Sequence, residues 1–184
     1  MDLVADLAAR LDGLVFADLT TDQVTARIID EVVAWGRGHG WRVYRRAPSV
    51  VPLPPPLERQ HSVLDVGVAR ADGPPLAVEI DSTDRRRTVE KLLAEAEAGR
   101  VPIWVRWSAG PIAVPPLPVR MVPLQVTRHG HAYSRRPDLP PPPHGTAVIG
   151  AAAEPIPLTG AAVPDRAAAP DPARPPDDAA APRS

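Results

Sequence analysis

Three acidic residues stand on two neighbouring segments whose apolar residues alternate like those of β-strands. Asp65 lies in HSVLDVGVAR, and Glu79 and Asp81 lie in LAVEID. The linker ADGPP has the composition of a turn, so the two segments should form an antiparallel hairpin. Glu79 and Asp81 then share one strand face, because side chains alternate along a strand. Asp65 falls opposite residue 79 or 80, and in the first register three carboxylates converge.

Carboxylates held this close repel one another, which raises their pKa values and favours a bound cation. Oxygen ligands in a chain without cysteine favour Mg²⁺, Mn²⁺ or Ca²⁺ over zinc. One or two such ions can polarise a phosphodiester and activate a water for in-line attack. The alternative is that Asp65 and Asp81 form ordinary surface ion pairs with the arginines 85–87.

The elements around this hairpin predict an α/β fold with a mixed sheet flanked by helices. Thr20 and Gln23 fit a capping box that begins a helix, and glycines follow its last apolar residue. The prolines of 48–56 predict a loop, because proline cannot pair within a central strand. The predicted order is a helix from Thr20, strands at 41–46, 61–70 and 76–81, a helix from Ser82 or Thr83 to Gly99, and a strand at 101–107. A short helix at 2–12 precedes these elements, and a further strand lies within 119–128.

This arrangement resembles the PD-(D/E)XK nuclease superfamily, which has a restriction-endonuclease-like αβββαβ core. The resemblance covers residues 20–107. It implies that Asp65 and Glu79 are the two metal-binding acids, with Asp81 beside them, and that the cofactor is Mg²⁺ or Mn²⁺. Two positions depart from the family pattern: Leu64 replaces the proline before the first acid, and Asp81 occupies the position of the lysine.

Some members of that superfamily carry the cation on the following helix, which makes Lys91 the candidate here. Lys91 is also the only lysine in the chain. The alternative is a solvated lysine paired with Glu95, four residues later. The superfamily often places a further acid on the first core helix, and Glu31 is the candidate for that catalytic role; the alternative is an ordinary helix-surface glutamate.

The charge distribution favours a polyanionic partner such as DNA. The net charge is −1 overall, but residues 37–136 hold sixteen bases and nine acids, whereas the segments on either side are acidic. One aromatic and basic cluster either binds phosphates and stacks bases or packs internally; it comprises Trp41, Arg42, Tyr44, Arg45 and Arg46. The histidines 129 and 131 have no acid beside them, so a solvated loop is favoured over a metal site.

Proline divides the chain into two parts. Thirteen of the 26 prolines fall in residues 137–184, so we predict a nuclease-like domain at 1–130 and a disordered Pro/Ala-rich tail at 131–184. Polyproline segments of that tail could recruit a protein partner. No apolar run reaches the ~18 residues that cross a bilayer, and the acidic start does not fit a signal peptide, which predicts a cytoplasmic protein without a membrane partner.

These features predict a metal-dependent DNA endonuclease that hydrolyses phosphodiester bonds. The alternative is a non-catalytic module that keeps the nuclease fold and binds nucleic acid or a protein partner. Asp81 in the lysine position favours that alternative.

Overall fold

The computed structural model describes residues 2–136 and the backbone of 144–148. The chain is an α/β protein in which helices flank a mixed sheet, which confirms the predicted fold class at that level. The helices are α1 (Leu3–Asp12), α2 (Thr21–Gly38) and α3 (Arg86–Glu97). The strands are β1 (Phe16–Leu19), β2 (Arg42–Pro52), β3 (His61–Ala69), β4 (Leu76–Asp81), β5 (Val101–Ser108), β6 (Ile112–Val114), β7 (Arg120–Gln125), β8 (Thr127–His129), β9 (Ala132–Arg135) and β10 (His144–Val148).

The five-stranded sheet has the order β2-β3-β4-β5-β7. Its first three strands are antiparallel neighbours, and β4, β5 and β7 run parallel. The β3–β4 hairpin is therefore confirmed. Its register pairs Val66 with Val78, so Asp65 and Glu79 occupy the next rung. The first of the two predicted registers is the correct one.

Both faces of β4 are covered, because the strand lies at the centre of the sheet. Val78 and Ile80 join the apolar cluster formed with α1 and α2, whereas Ala77 joins a second cluster with Leu92 of α3. All six residues of β4 are buried, including its two acids. A carboxylate on this strand consequently requires a polar or charged partner supplied by a neighbouring element.

Local signals explain the start of α2 but not the start of α3. The Thr20–Gln23 capping box is present, as predicted. Helix α3 has its N-cap at Arg85, two or three residues later than the predicted N-cap at Ser82 or Thr83, and this N-cap makes no side-chain hydrogen bond. Buried Arg106 of β5 donates to the carbonyl of Asp81 and to the carboxylate of Asp84, so it holds the preceding segment in a non-helical conformation.

Strand β2 is longer than predicted. It continues to Pro52 through the first part of the expected 48–56 loop. Because β2 is the outer strand of its sheet, a missing proline N–H need not remove a ladder hydrogen bond. At the other end, β9 and β10 extend past the predicted domain boundary at residue 130. Residues 137–143 and 149–184 of the predicted tail lie outside the described residues.

At one position of the β2–β3 pairing, the buried side chains switch from one face of the sheet to the other. Arg45 is paired with Val66, which packs toward α2, whereas Ala47 is paired with Leu64, which packs toward α3. The intervening rung joins Arg46, whose φ is 52°, to Asp65. A left-handed backbone at a residue other than glycine is a local irregularity, and it lies directly opposite a candidate site residue.

Among the described residues, no helix combines the length and the hydropathy of a membrane span.

We predict that Gly67→Ala destabilises the protein. A Cβ at this position would lie 2.6 Å from the Cβ of Ala47, and overpacking of this kind costs about 1–3 kcal/mol. Urea unfolding of Gly67→Ala, Ala47→Gly and the double variant forms a double-mutant cycle. Ala47→Gly should recover part of the loss, giving a favourable coupling energy. Purely additive effects would show that this contact does not limit the approach of β2 to β3.

Candidate active site

A cleft of about 580 Å³ lies where β3, β4, α2 and α3 meet. Of the sequence-predicted site residues, four line it: Asp65, Glu79, Asp81 and Lys91. The two acids of adjacent strands and the lysine of the following helix are thus brought to one concave surface. Glu31 is the exception.

Glu79 and Lys91 form the central contact of the cleft. The Lys91 Nζ lies 2.7 Å from the Glu79 Oε1 and donates to the carbonyl of Val63 at 2.8 Å. Only 12% of the lysine side chain and 8% of the glutamate side chain are exposed. The alternative pairing of Lys91 with Glu95 is wrong, because Glu95 binds Arg100 and Ser49 while Lys91 contacts Glu79.

Burial dominates the proton affinity of Glu79. Removal from water raises the pKa of its carboxyl to about 7, although the Lys91 ammonium opposes the increase. The charges of Asp65 and Asp81 add to it by repulsion. A cation bound at this carboxyl would therefore have to displace the proton that burial favours.

Asp65 lies where β3 separates from β4. Its Oδ2 accepts a hydrogen bond from the backbone N–H of Ile80 at 2.8 Å. Burial raises the pKa of Asp65, the Ile80 N–H opposes the increase, and the nearby Asp81 charge adds to it. Among the described residues Asp65 has no arginine ion pair, so the surface-pair interpretation fails for this residue.

Asp81 is engaged by the protein on both oxygens. Its Oδ2 accepts from the indole Nε1 of Trp104 at 3.1 Å, and its Oδ1 lies 3.6 Å from the Arg85 Nε. The alternative of an ion pair with an arginine of 85–87 therefore describes Asp81 correctly. With a protein partner on each of its oxygens, Asp81 is a poorer candidate metal ligand than Asp65.

Glu31 does not reach the cleft. It forms an ion pair with Arg10 of α1 and lines a separate depression. The acid that α2 contributes to the cleft is Asp22, in the first turn of the helix, where Thr25, Ala26 and Ile29 share its face. The spacing 22, 25, 26, 29 is a helical stripe and was visible in the sequence, but nothing in the sequence showed which stripe faces the acids.

The residues present suit a Mg²⁺-type ion held by few protein ligands. In the described part of the chain no three His, Cys, Asp or Glu side chains lie close enough together to hold a metal. Mg²⁺ is commonly bound through one or two carboxylates, with waters and substrate phosphates completing its shell. Asp65, which is half-buried, and Glu79, which is buried, could form such a pair, because an ion between them would offset the repulsion of their charges.

Comparisons with known proteins add no assignment. No protein-family model, no curated protein and no solved structure matches this chain. The interpretation of the cleft consequently depends on its own geometry.

We predict that Glu79 makes the metal-free protein less stable as pH rises. A folded-state pKa of about 7, above the 4.5 of an exposed glutamate, means that the folded chain holds this proton more tightly than the unfolded chain. The stabilisation is complete below pH 4.5 and is lost as the pH passes through 7, with an upper bound on the order of 3 kcal/mol. In urea unfolding, the free energy of unfolding of wild type minus that of Glu79→Gln should fall as the pH rises across this range.

The matched control for that measurement is Glu90→Gln, which removes the same charge from the exposed face of α3. The difference in free energy of unfolding between Glu90→Gln and wild type should stay constant over the same pH range. Equal pH profiles for wild type and Glu79→Gln would contradict the burial of an ionisable Glu79.

We also predict that the Lys91 amine reacts slowly with formaldehyde and borohydride. As the only lysine, it can be followed without overlap by its ¹³C-methyl signals. The Arg86→Lys variant supplies an internal reference, because the Arg86 side chain is 88% exposed on the same helix. Lys91 should be modified much later than that reference in the folded protein and at the same rate in urea. Equal rates in the folded protein would show that Lys91 is solvated.

Proposed function

We propose that this chain is a metal-dependent deoxyribonuclease of the PD-(D/E)XK type, which hydrolyses phosphodiester bonds of DNA. The observation that carries the proposal is the contact of 2.7 Å between the Lys91 Nζ and the Glu79 Oε1, in a cleft that Asp65 also lines. Two acids on adjacent strands and a lysine beside the second acid are the combination on which the family resemblance rests. Here the lysine comes from α3 instead of β4.

The order of elements supports a restriction-endonuclease-like core. Helix α2, the antiparallel strands β2, β3 and β4, helix α3 and the parallel strand β5 follow one another as αβββαβ. Helices α2 and α3 cover opposite faces of the sheet. This arrangement places both acids and the lysine at the same end of the sheet.

Asp65 and Glu79 would hold Mg²⁺ or Mn²⁺. When bound, the ion polarises a phosphodiester and lowers the pKa of a coordinated water. Lys91 supplies a fixed positive charge that can donate to a phosphate oxygen, and its bond to the Val63 carbonyl sets the direction of the ammonium. Burial of both side chains excludes competing water from the pair.

Arginines at the cleft provide contacts for the phosphate backbone. Arg85 and Arg87 line the cleft, and both are exposed at the start of α3. Guanidinium groups bind phosphates bidentately, and they fix the strand without reading its bases. DNA affinity should therefore fall steeply with salt concentration.

A second candidate is a non-catalytic module that binds nucleic acid or a protein partner. The observation that favours it is Asp81 at the family's lysine position, where Trp104 and Arg85 hold its carboxylate. Such a module would keep the fold and the basic surface but would not need to bind a metal.

We predict that the purified protein nicks or cuts plasmid DNA with Mg²⁺ or Mn²⁺, and that Lys91→Ala lowers the rate by about 10²–10³-fold. Asp65→Asn and Glu79→Gln should abolish cleavage, because each removes a metal ligand. Glu90→Gln is the matched control, since it removes a carboxylate from α3 outside the cleft, and it should cut at the wild-type rate.

Calorimetry with Mn²⁺ separates the two candidate functions. Metal uptake that is lost in the Asp65→Ala/Glu79→Ala double variant supports the nuclease. DNA binding without metal uptake or cleavage, on linear and supercoiled DNA, would contradict the nuclease and support the module.

A further inference from the structure

A second concave surface runs beside the edge strand β2. It has a volume of about 500 Å³ and lies on the sheet face toward which Ala47 and Gly67 are directed. Its lining combines small residues with larger side chains. We call it the β2 groove; its lining includes Tyr44, Arg46, Ala47, Gly67, Pro75 and Arg100.

Tyr44 gives the β2 groove an accessible aromatic ring. The residue is 52% exposed, although it lies within a strand of the main sheet. Its cross-strand partner is Gly67, so no side chain covers the ring from that position. By contrast, Trp41 of the same aromatic and basic cluster is stacked against His39 and packs edge-on against Trp35. Tyr44 is therefore the aromatic residue of that cluster that remains free to stack on a ligand.

Arg46 gives the β2 groove a cation without an internal anion. Two other arginines of the lining are engaged: Arg45 with Asp30 of α2, and Arg100 with Glu95 and the Pro48 carbonyl. Arg46 is exposed and forms no ion pair with any other described residue. Its left-handed backbone is a conformation that costs free energy at a non-glycine residue, and such outliers cluster at functional sites.

One position of the β2–β3 pairing relates the β2 groove to the candidate active site. The flanking pairs, Arg45 with Val66 and Ala47 with Leu64, place Arg46 of the groove across from Asp65 of the cleft. A nucleic acid strand held at Asp65 would therefore have the Arg46 guanidinium on the neighbouring strand as a partner for its next phosphate.

We infer that the β2 groove binds one unpaired nucleotide next to the phosphate that enters the cleft, with its base stacked on Tyr44 and its phosphate paired with Arg46. The inference rests on the proposed function, because it takes the ligand of the cleft to be a nucleic acid strand. The volume is typical of sites for small organic ligands. A base within a duplex has both faces covered by its neighbours, so only an unpaired base can stack on this ring.

The test is the binding of a short fluorescein-labelled oligothymidine, followed by fluorescence anisotropy in EDTA so that no cleavage occurs. Tyr44→Leu should weaken binding by about tenfold through lost stacking. Arg46→Asn should reduce the slope of log affinity against log salt by about 0.7, the value for one phosphate contact on a single strand. Asparagine is chosen because it tolerates the left-handed backbone.

Two controls match these variants. Tyr44→Phe keeps the ring and should bind as wild type does. Arg37→Gln removes the same charge from an exposed position near the end of α2, outside the β2 groove, and should keep the wild-type salt slope. The affinity for a blunt-ended duplex that carries the same label should not change in Tyr44→Leu. Thermal unfolding of each variant reports whether its fold is intact.

The inference would be overturned if both Tyr44→Leu and Arg46→Asn bound the oligothymidine with wild-type affinity. It would also be overturned if Tyr44→Leu weakened duplex binding as much as oligothymidine binding. Because the measurement excludes metal, it is independent of cleavage. Cleavage by wild type together with variant-insensitive binding rejects the β2 groove alone. Variant-sensitive binding without any cleavage under Mg²⁺ rejects the proposed nuclease and retains the β2 groove as a single-strand site.

Discussion

The burial of Glu79 is the constraint on which the rest of the cleft depends. Strand β4 is covered on both faces, so its carboxylate is removed from water and must be offset by a cation. Lys91 provides that charge from α3 and is itself almost buried. Burial alone favours the protonated form of this carboxyl, and the Lys91 ammonium opposes that preference. The position of α3 over β4 is thus set by the contact of Lys91 with Glu79 as well as by apolar packing.

The pairing of β3 with β4 ends at Val66 and Val78, next to Asp65 and the buried Glu79. At the Arg46–Asp65 rung the facing of the sheet changes, and Asp65 bonds to the Ile80 N–H across the hairpin. Gly67 permits this close approach of β2 to β3, because a larger residue would meet Ala47. The backbone irregularity, the candidate metal ligand and the free arginine are therefore consequences of one local distortion.

Strong local patterns allowed much of this fold to be predicted from the sequence. Alternation along LAVEID gave the correct faces of β4, and the short turn gave the hairpin that brings Asp65 to Glu79. The start of α3 was not predictable from local signals, because Arg106, distant in sequence, holds the preceding loop. Glu31 was chosen over Asp22 because helical periodicity identifies stripes without showing which stripe meets the cleft. The internal partners of Asp81 likewise come from tertiary contacts.

The most direct test of the account is anomalous diffraction from crystals of the full chain soaked in MnCl₂. We expect a manganese peak between the carboxylates of Asp65 and Glu79, at about 2.0–2.2 Å from the nearest oxygen of each, as for small divalent ions. The Lys91 ammonium should remain in the same cleft beside the ion. An empty cleft at saturating manganese, with Lys91 still closing Glu79, would contradict the account.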